Sequence, residues 1–363
     1  MRSLNLPYNP RIDQLRWLAA TIVFLYHFYV EYCGAGGAAF DSVWAGIITE
    51  GHTGVGLFFT LSGFLFMQIA LAHGQLEYRD FVRNRTLRIV PLFFTIFLLA
   101  TSIGRDKFQG QDIFYLLATN LGSSPTSVSV VTGAAWCISL EFLFYLVFPF
   151  LSRFAIEQGP RYLLKLLVLM MFFKLVSYNE NEHSTIMYFS TFVGRFDQFI
   201  IGMLAAMLYQ QRQVLLRRLS LWLAPLALML ACANSALQAH LAPFNVQPKS
   251  IFWISWSMQE SLVWACMIVA WVSFPRLLPA WLECMLCHGG KISFSFYLLH
   301  MAVIHFMFRA VGPLHISGQP LFDTLLFGVM LYAATWALGT LSYHVVEEPF
   351  LNMRRRYGAA RNA

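Results

Sequence analysis

The chain has 363 residues, of which 58% are hydrophobic and 12% are charged, and its basic residues outnumber its acidic ones by 25 to 18. A soluble domain usually carries about 25% charged residues, so this composition excludes a disordered chain and argues against a water-soluble globule. The net charge of +7 fits basic residues gathered in the cytoplasmic loops of a membrane protein, and no nucleic-acid partner is expected.

Ten apolar stretches are long enough to cross a bilayer, which takes about 20 residues each. They are predicted near residues 14–33, 53–73, 87–104, 136–154, 162–178, 186–209, 220–239, 252–274, 292–311 and 320–345. The longest segment between them, about 105–135, is too short for a soluble catalytic domain. The sequence therefore predicts an all-α integral membrane protein with a bundle of about ten transmembrane helices. Residues 1–363 form one domain, with its core at about 11–350 and a basic cytoplasmic tail at 351–363.

The distribution of basic residues predicts the orientation of the bundle. With the N-terminus in the cytoplasm, nineteen of the 25 Lys and Arg residues fall on the cytoplasmic side. Because basic residues accumulate on that side, both termini are predicted to be cytoplasmic. The first stretch is expected to remain as a span rather than be cleaved, since His27 and Glu31 interrupt its apolar run and nine more spans follow.

The first span carries a cation and an imidazole on one helix face. Arg16 and His27 are eleven residues apart, and their projections differ by only about 20° from a whole number of turns. The helix rises about 16 Å between them, so Arg16 at the cytoplasmic edge places His27 beyond the bilayer midplane. That distance matches the pantetheine arm of an acyl-CoA whose phosphates are held by Arg16. A topological anchor and a packing histidine are the plainer interpretations of these two residues.

The third and fourth spans add basic and acidic groups. Arg85 and Arg88 share a helix face at the cytoplasmic start of the third span, where they could bind one polyanion or simply mark topology. Glu141 lies about one and a half turns below the outer face of the fourth span, near the depth of His27. A buried carboxylate needs a partner or a proton. We expect Glu141 either to pair with His27 and fix its tautomer, or to position the molecule that would receive the acyl group from the acyl-CoA.

Further ionisable residues lie inside later spans. Arg195 and Asp197 fall in the sixth span, Glu260 in the eighth and His300 in the ninth. An ionisable group in hydrocarbon is a functional-site hypothesis by default, although a structural interhelical hydrogen bond is an equally good interpretation here.

A haem-like spacing and the absence of metal motifs bear on cofactors. The run from Cys284 to His288 has the C-x-x-C-H spacing of haem attachment. It falls on the predicted cytoplasmic side, whereas such haems are attached outside the cytoplasm. The sequence also has no H-E-x-x-H motif and no Walker-type loop. We therefore expect no haem and no metal.

In order and spacing, these motifs resemble those of acyltransferase family 3, the multi-span bacterial carbohydrate O-acyltransferases. The resemblance covers the chain from about Arg11 to Phe350, with Gln14 standing where the family usually has glycine. It rests on several short blocks: Ile12–Arg16 with His27, Gly54–Phe64, Arg85–Arg88, Trp136–Glu141, Gly194–Phe196, Ser295–His300 and Glu347–Phe350.

The resemblance implies transfer of an acyl group, often acetyl, from cytoplasmic acyl-CoA to a carbohydrate hydroxyl outside the bacterial inner membrane. His27 would be the general base and Glu141 would orient it or contact the sugar. The donor phosphates would be held by arginines, namely Arg16, Arg85 and Arg88. The candidate acceptor contacts are Trp136, Ser139, Arg195 and His300. Direct transfer and a covalent acyl-enzyme are both open, with Cys137 and Ser139 as conceivable nucleophiles.

Two other function classes also fit a bundle with buried charges. A secondary transporter or exporter of an envelope carbohydrate would often show paired halves with broken helices, and no such duplication is visible. A non-catalytic assembly protein or sensor would not depend on His27. The acceptor is left open between O-antigen, exopolysaccharide, peptidoglycan, a periplasmic glucan and a small glycoside, and the oligomeric state is also open.

Overall fold

The computed structural model describes residues 6–40, 42–74, 76–103, 133, 136–180, 184–244, 249–275, 278–313, 317 and 319–357. The segment predicted near 105–135, apart from residue 133, and the end of the tail at 358–363 lie outside this part of the chain. Within the described ranges every regular element is helical and none is a strand, which confirms the all-α prediction.

Twelve α-helices make up the described fold. In chain order they are α1 (Pro10–Gly34), α2 (Gly46–Thr49), α3 (Thr53–His73), α4 (Tyr78–Ile103), α5 (Trp136–Gln158), α6 (Pro160–Glu180), α7 (Ser184–Ser190), α8 (Phe192–Leu241), α9 (Phe252–Ser273), α10 (Ala280–Ala310), α11 (Pro320–Ser342) and α12 (Glu348–Leu351). A 3-10 turn precedes α2, and a π-helical turn at Tyr343–Glu347 joins α11 to α12.

Within the described ranges, seven helical segments are long and apolar enough to cross a membrane: α3, α4, α5, α6, α8, α10 and the stretch Phe322–Leu351. One of them, α8, is 50 residues long and contains two of the predicted spans, 186–209 for the most part and 220–239, on either side of a kink at Arg212 (φ −124°, ψ 24°). The helices α1 and α9 coincide with the predicted spans 14–33 and 252–274. The protein is thus a multi-pass membrane protein, while the count of ten and the orientation stay predictions.

The first helix begins at a strong local signal. Asn9 precedes it with extended backbone angles and its side chain accepts a hydrogen bond from the Arg11 amide at 3.0 Å. Pro10 occupies the first helical turn, where its missing N–H costs nothing. From this start α1 continues unbroken to Gly34, so one rigid helix carries both Arg16 and His27.

Close helix approaches hold α1 and α3 in the centre of the bundle. The helix α8 packs most extensively against α9 and α3, and α1 packs against α10 and α3. Gly63 on α3 and Gly202 on α8 each face the opposing backbone, so a Cβ at either position would overlap it. Gly290 on α10 meets the backbone of Asp13 in the same way. Small residues thus bring backbones together, as is common between membrane helices.

The outward surface of α6 is apolar, whereas its one buried cation points inward. Val168 and Phe172 are 72% and 58% exposed, but Lys174 on the same helix is fully buried. In a water-soluble protein, the apolar side chains would be buried and the lysine would be exposed. The arrangement fits a helix whose outer side contacts lipid, where polar groups must find partners inside the protein.

Candidate active site

A narrow cavity of about 80 Å³ lies between α1, α3, α4, α5 and α10. Its lining includes Arg16, Arg85, Arg88 and Glu141, together with aromatic and aliphatic side chains. The structure therefore brings together, on one cavity, the three arginines predicted to hold phosphates and the predicted glutamate.

Two of the arginines are oriented by carboxylates. Arg16 donates from Nη1 to Asp13 Oδ1 at 2.9 Å, and Arg88 Nη1 lies 3.6 Å from Glu347 Oε2. Glu347 is itself held by Ser295, whose hydroxyl donates to Oε1 at 2.5 Å. The partners Asp13 and Glu347 were not singled out from the sequence as site residues, although both belong to or adjoin the quoted blocks. They fix the two guanidinium groups while leaving donors available to a ligand.

Arg85 is held differently, by aromatic rings. Its Cζ lies 4.4 Å from the ring centroid of Phe66 and 5.5 Å from that of Phe81, within cation–π range. Among the described residues no atom accepts a hydrogen bond from its buried Nε. Arg85 therefore brings a positive charge to the cavity, and within the described residues no carboxylate lies at ion-pair distance from it.

Glu141 lies farther along the same cavity. Its Oε1 accepts a hydrogen bond from the Ser62 hydroxyl at 3.1 Å. The sequence suggested that Glu141 could pair directly with His27. In the described contacts, Glu141 bonds instead to Ser62 and His27 bonds to His300. Helix periodicity predicts where each side chain lies along its own helix but does not show which side chains face each other across helices.

The partner of His27 is the second candidate histidine. His27 Nδ1 lies 3.0 Å from Nε2 of His300 and 3.1 Å from the carbonyl oxygen of Val23. His300 Nδ1 lies 2.5 Å from the carbonyl oxygen of Tyr297. Carbonyl oxygens only accept, so for two neutral rings each Nδ1 carries a hydrogen and His300 Nε2 accepts from His27. This chain of hydrogen bonds leaves Nε2 of His27 as an unprotonated acceptor.

Tyr297 connects the histidine pair to the cavity. Its side chain lines the cavity beside Cys137, whose Sγ lies 3.2 Å from the Tyr297 hydroxyl. The Tyr297 ring lies 5.6 Å from the ring of His300. His27 itself is not among the cavity-lining residues, so the pair lies just behind Tyr297.

A second group of charges is sealed between α6, α8 and α9. Arg195 donates from Nη1 to Glu260 Oε2 at 3.0 Å, and Lys174 donates from Nζ to Asp197 Oδ2 at 2.6 Å. None of these four side chains is more than 3% exposed. Arg195 and Asp197, which lie close together in one predicted span, thus form ion pairs with two different partners, Glu260 and Lys174. Lys174 was missed, although a lysine inside an apolar run was the signal that could have found it.

The remaining acceptor candidates lie near the start of α5. The Trp136 ring lies 4.7 Å from that of Phe189, and Cζ of Arg195 lies 5.8 Å from the Trp136 ring. Ser139 is 1% exposed and does not line the arginine cavity. Of the four candidates, Trp136 and Arg195 thus lie together and Ser139 is buried. The fourth, His300, is hydrogen-bonded to His27. The described residues contain no group of three or more His, Cys, Asp or Glu side chains arranged to hold a metal ion.

Comparison with known proteins decides the family. A family model described as "Acyltransferase domain" matches residues 9–343 of the chain. The chain belongs to this acyltransferase family. The acyltransferase MdmB of Streptomyces mycarofaciens is 25% identical to it over 380 aligned residues, covering 96% of this chain and 93% of that protein. No solved structure matches the chain.

The family assignment confirms the resemblance drawn from the motifs. The protein is a membrane-embedded acyltransferase of the class that transfers groups other than aminoacyl groups. An acyl donor and an acyl acceptor are therefore its substrates.

Proposed function

We propose that this acyltransferase moves an acyl group, acetyl in the first instance, from cytoplasmic acyl-CoA to a hydroxyl of a cell-surface or exported carbohydrate. The proposal rests on one cavity. Arg16, Arg85 and Arg88 line it, and so does Tyr297, the residue beside the His27–His300 pair. In a bacterial inner membrane, with ten spans and both termini cytoplasmic, the arginines open to the cytoplasm and the histidines lie nearer the outer side.

The arginines can bind the phosphates of the acyl-CoA, and the narrow cavity can hold its pantetheine arm. Guanidinium groups bind phosphate oxygens through two parallel N–H donors. A volume of about 80 Å³ is well below the pockets that enclose whole drug-sized ligands. The nucleotide therefore stays at the arginines, and the slender pantetheine arm carries the thioester inward past Glu141.

His27 then performs the proton transfer. Its unprotonated Nε2 accepts the proton of the acceptor hydroxyl while the hydroxyl oxygen attacks the thioester carbon. The new C–O ester bond forms, the C–S bond breaks, and the proton passes to the departing sulfur to give free CoA thiol. His300 keeps His27 in the required tautomer through the hydrogen bond between Nε2 of His300 and Nδ1 of His27.

The acceptor enters from the outer side of the membrane and brings its hydroxyl between Glu141 and His27. Glu141 contacts the acceptor or orients it, with its own position fixed by Ser62. Trp136, at the outer start of α5, offers an aromatic face for sugar stacking. Direct transfer fits better than an acyl-enzyme, because the thiol of the cavity-lining Cys137 donates a hydrogen bond to the hydroxyl of Tyr297, which is a weak general base.

The test uses membranes that contain the full chain and acyl-CoA donors labelled in the acyl group: acetyl, propionyl and succinyl. We expect label from at least one donor in the envelope carbohydrate fraction with the parent, and a loss of about 10²–10⁴-fold with His27→Ala at equal expression. The matched control is His288→Ala, since His288 is also partly buried on α10 and hydrogen-bonded, to Thr340. It should label like the parent.

Three outcomes would contradict the proposal. No label from any donor would remove acyl-CoA as the donor class. Label in lipid or protein instead of carbohydrate would remove the proposed acceptor. Equal labelling by the parent and His27→Ala would make His27 structural.

A further inference from the structure

A second and larger cavity, here named the end cavity, lies at one end of the helix bundle. Its volume is about 840 Å³, and it is bounded by residues 6–12, the last turns of α3, the bend of α8 at Arg212 and the end of α9. Pockets that enclose a small ligand have volumes of this order. Among the described residues, only Leu65 lines both this cavity and the cavity of the three arginines, so the two are separate spaces.

The end cavity lies at a boundary of the predicted membrane region. The predicted spans 14–33, 53–73, 186–209 and 252–274 each begin or end beside it. Lipid headgroups lie at the depth where spans end. In the predicted orientation this is the cytoplasmic side, where the leaflet carries anionic lipids.

One side of the end cavity is continuous with an exposed apolar surface. Val214 on α8 lines the cavity and is 70% exposed. Leu221 and Leu228 follow it at intervals of seven residues, so they lie on the same helix face, and both are exposed. Exposed apolar side chains of a membrane-spanning helix contact lipid chains. A lipid chain on this face of α8 would therefore lead directly to the cavity.

The polar groups of the end cavity suit an anion. Ser273, at the end of α9, is 8% exposed, and among the described residues its hydroxyl has no hydrogen-bond partner. Arg217 on α8 is exposed, and in the described part of the chain no carboxylate lies at ion-pair distance from it. None of the described lining residues is Asp or Glu. A phosphate oxygen would satisfy the buried hydroxyl and attract the guanidinium.

A second arginine of the lining is already held by protein groups. Arg11 donates to Gln14 Oε1 at 3.1 Å and to the Pro275 carbonyl at 2.9 Å, and its Cζ lies 5.0 Å from the Trp271 ring centroid. Arg11 thus fastens the start of α1 to the residues after α9. We count it as part of the cavity wall and not as a ligand contact.

We propose that the end cavity binds the headgroup of an anionic phospholipid. Arg217 donates to the phosphate, Ser273 donates from Oγ to a phosphate or glycerol oxygen, and the acyl chains lie along Val214 and Leu221. Phosphatidylglycerol is preferred to phosphatidylethanolamine, because the described lining has no carboxylate for an ammonium group. The proposal does not depend on the identity of the acyl donor.

Photoreactive phosphatidylglycerol, with a diazirine in one acyl chain, tests the proposal. The full chain in maltoside micelles would be irradiated with this probe, and the labelled peptides would be mapped by mass spectrometry. We expect label on residues 209–221 that unlabelled phosphatidylglycerol removes. Phosphatidylethanolamine with the same chains should need about a fivefold higher concentration to compete.

Two variants and a matched control assign the polar contacts. Arg217→Gln should raise the probe concentration for half-maximal labelling by about fivefold. Arg218→Gln removes the same charge from the next position, which is exposed but does not line the cavity, and should stay within about twofold of the parent. Ser273→Ala should weaken labelling by about two- to fivefold. Without added lipid its melting temperature should match or exceed that of the parent, since the hydroxyl has no partner among the described residues.

Four outcomes would overturn the proposal. Label spread evenly over the exposed helices would mean that the cavity does not select a lipid. Equal competition by the two phospholipids would remove the preference for an anionic headgroup. Equal effects of Arg217→Gln and Arg218→Gln would reduce binding to general surface charge. Displacement of the label by CoA but not by phosphatidylglycerol would assign the cavity to a nucleotide instead of a lipid.

Discussion

The protein contains two groups of arginine and carboxylate side chains within its helix bundle, and they are built differently. In the cavity group, the Arg16 and Arg88 side chains are 31% and 17% exposed, and the contact between Arg88 and Glu347 is 3.6 Å long. In the sealed group, the Lys174 and Arg195 side chains are at most 1% exposed, and their ion pairs are 2.6 and 3.0 Å long.

The difference separates a group that borders a cavity from a group whose charges are paired with one another. The sealed group pairs two cations with two carboxylates, and Ser257 and Gln198 supply further hydrogen bonds. In the cavity group, Arg85 lies against aromatic rings and forms no ion pair within the described residues, and the group borders open space. An arginine inside a membrane bundle is thus a candidate ligand contact when its charge is left partly uncompensated, and a structural element when protein groups compensate it.

The largest effect should come from breaking the sealed group. Lys174→Met leaves Asp197 as a buried charge without its cation, so we expect a loss of about 3–5 kcal/mol in the free energy of unfolding. Denaturant unfolding of the purified protein in micelles would measure it. The double variant Lys174→Met with Asp197→Leu removes both charges and should recover most of the loss. A single variant as stable as the parent would mean that the pair does not hold the helices.

Removing a cavity arginine should weaken donor use and leave stability unchanged. Arg85→Gln is expected to raise the KM for acyl-CoA by about 10- to 100-fold, because charged hydrogen bonds to phosphate contribute about 1.5–3 kcal/mol each. Initial rates of label transfer at varied donor concentration would measure it. The exposed Arg79 on the same helix provides the control variant Arg79→Gln. Equal changes of the donor KM in Arg85→Gln and Arg79→Gln would show that Arg85 acts only through the general surface charge.

Loss of the hydrogen bond between His27 and His300 should lower kcat without changing the KM for the donor. His300→Phe removes one of the two acceptors of His27 Nδ1–H and leaves only the Val23 carbonyl, so we expect kcat to fall by about tenfold with the donor KM unchanged. His300→Gln can still accept a hydrogen bond and should recover part of the rate. A fall in thermal stability with an unchanged kcat would instead show that His300 only packs.

The smallest effect is expected at the cavity cysteine. Cys137→Ala should keep transfer within about twofold of the parent, because direct transfer needs no thiol nucleophile. Label transfer under saturating donor would measure the rate. A loss of more than about 100-fold, together with acyl label on the parent protein that Cys137→Ala lacks, would favour the acyl-enzyme route.

Most of the fold and part of the site were predictable from the sequence. Apolar stretches of membrane-spanning length gave the helices, and the 3.6-residue period placed Arg16 and His27 on one side of α1. Local rules of this kind do not show which helices are neighbours. The partnership of His27 with His300 and of Lys174 with Asp197 depends on contacts between residues far apart in sequence. The path of the chain after α12 was hidden for the same reason, because it depends on a hydrogen bond between Asn84 and Arg355, which are 271 residues apart.

The central claim is that arginines hold the phosphates of the donor while His27 activates the acceptor. Label transfer from acetyl-CoA and from S-acetylpantetheine, which has the same thioester without phosphates, tests it most directly. We expect the parent to use acetyl-CoA far better, Arg88→Gln to lose that preference while keeping its rate with acetylpantetheine, and His27→Ala to lose transfer from both donors. Equal slowing of both donors by Arg88→Gln, or transfer by His27→Ala at the parental rate, would contradict the claim.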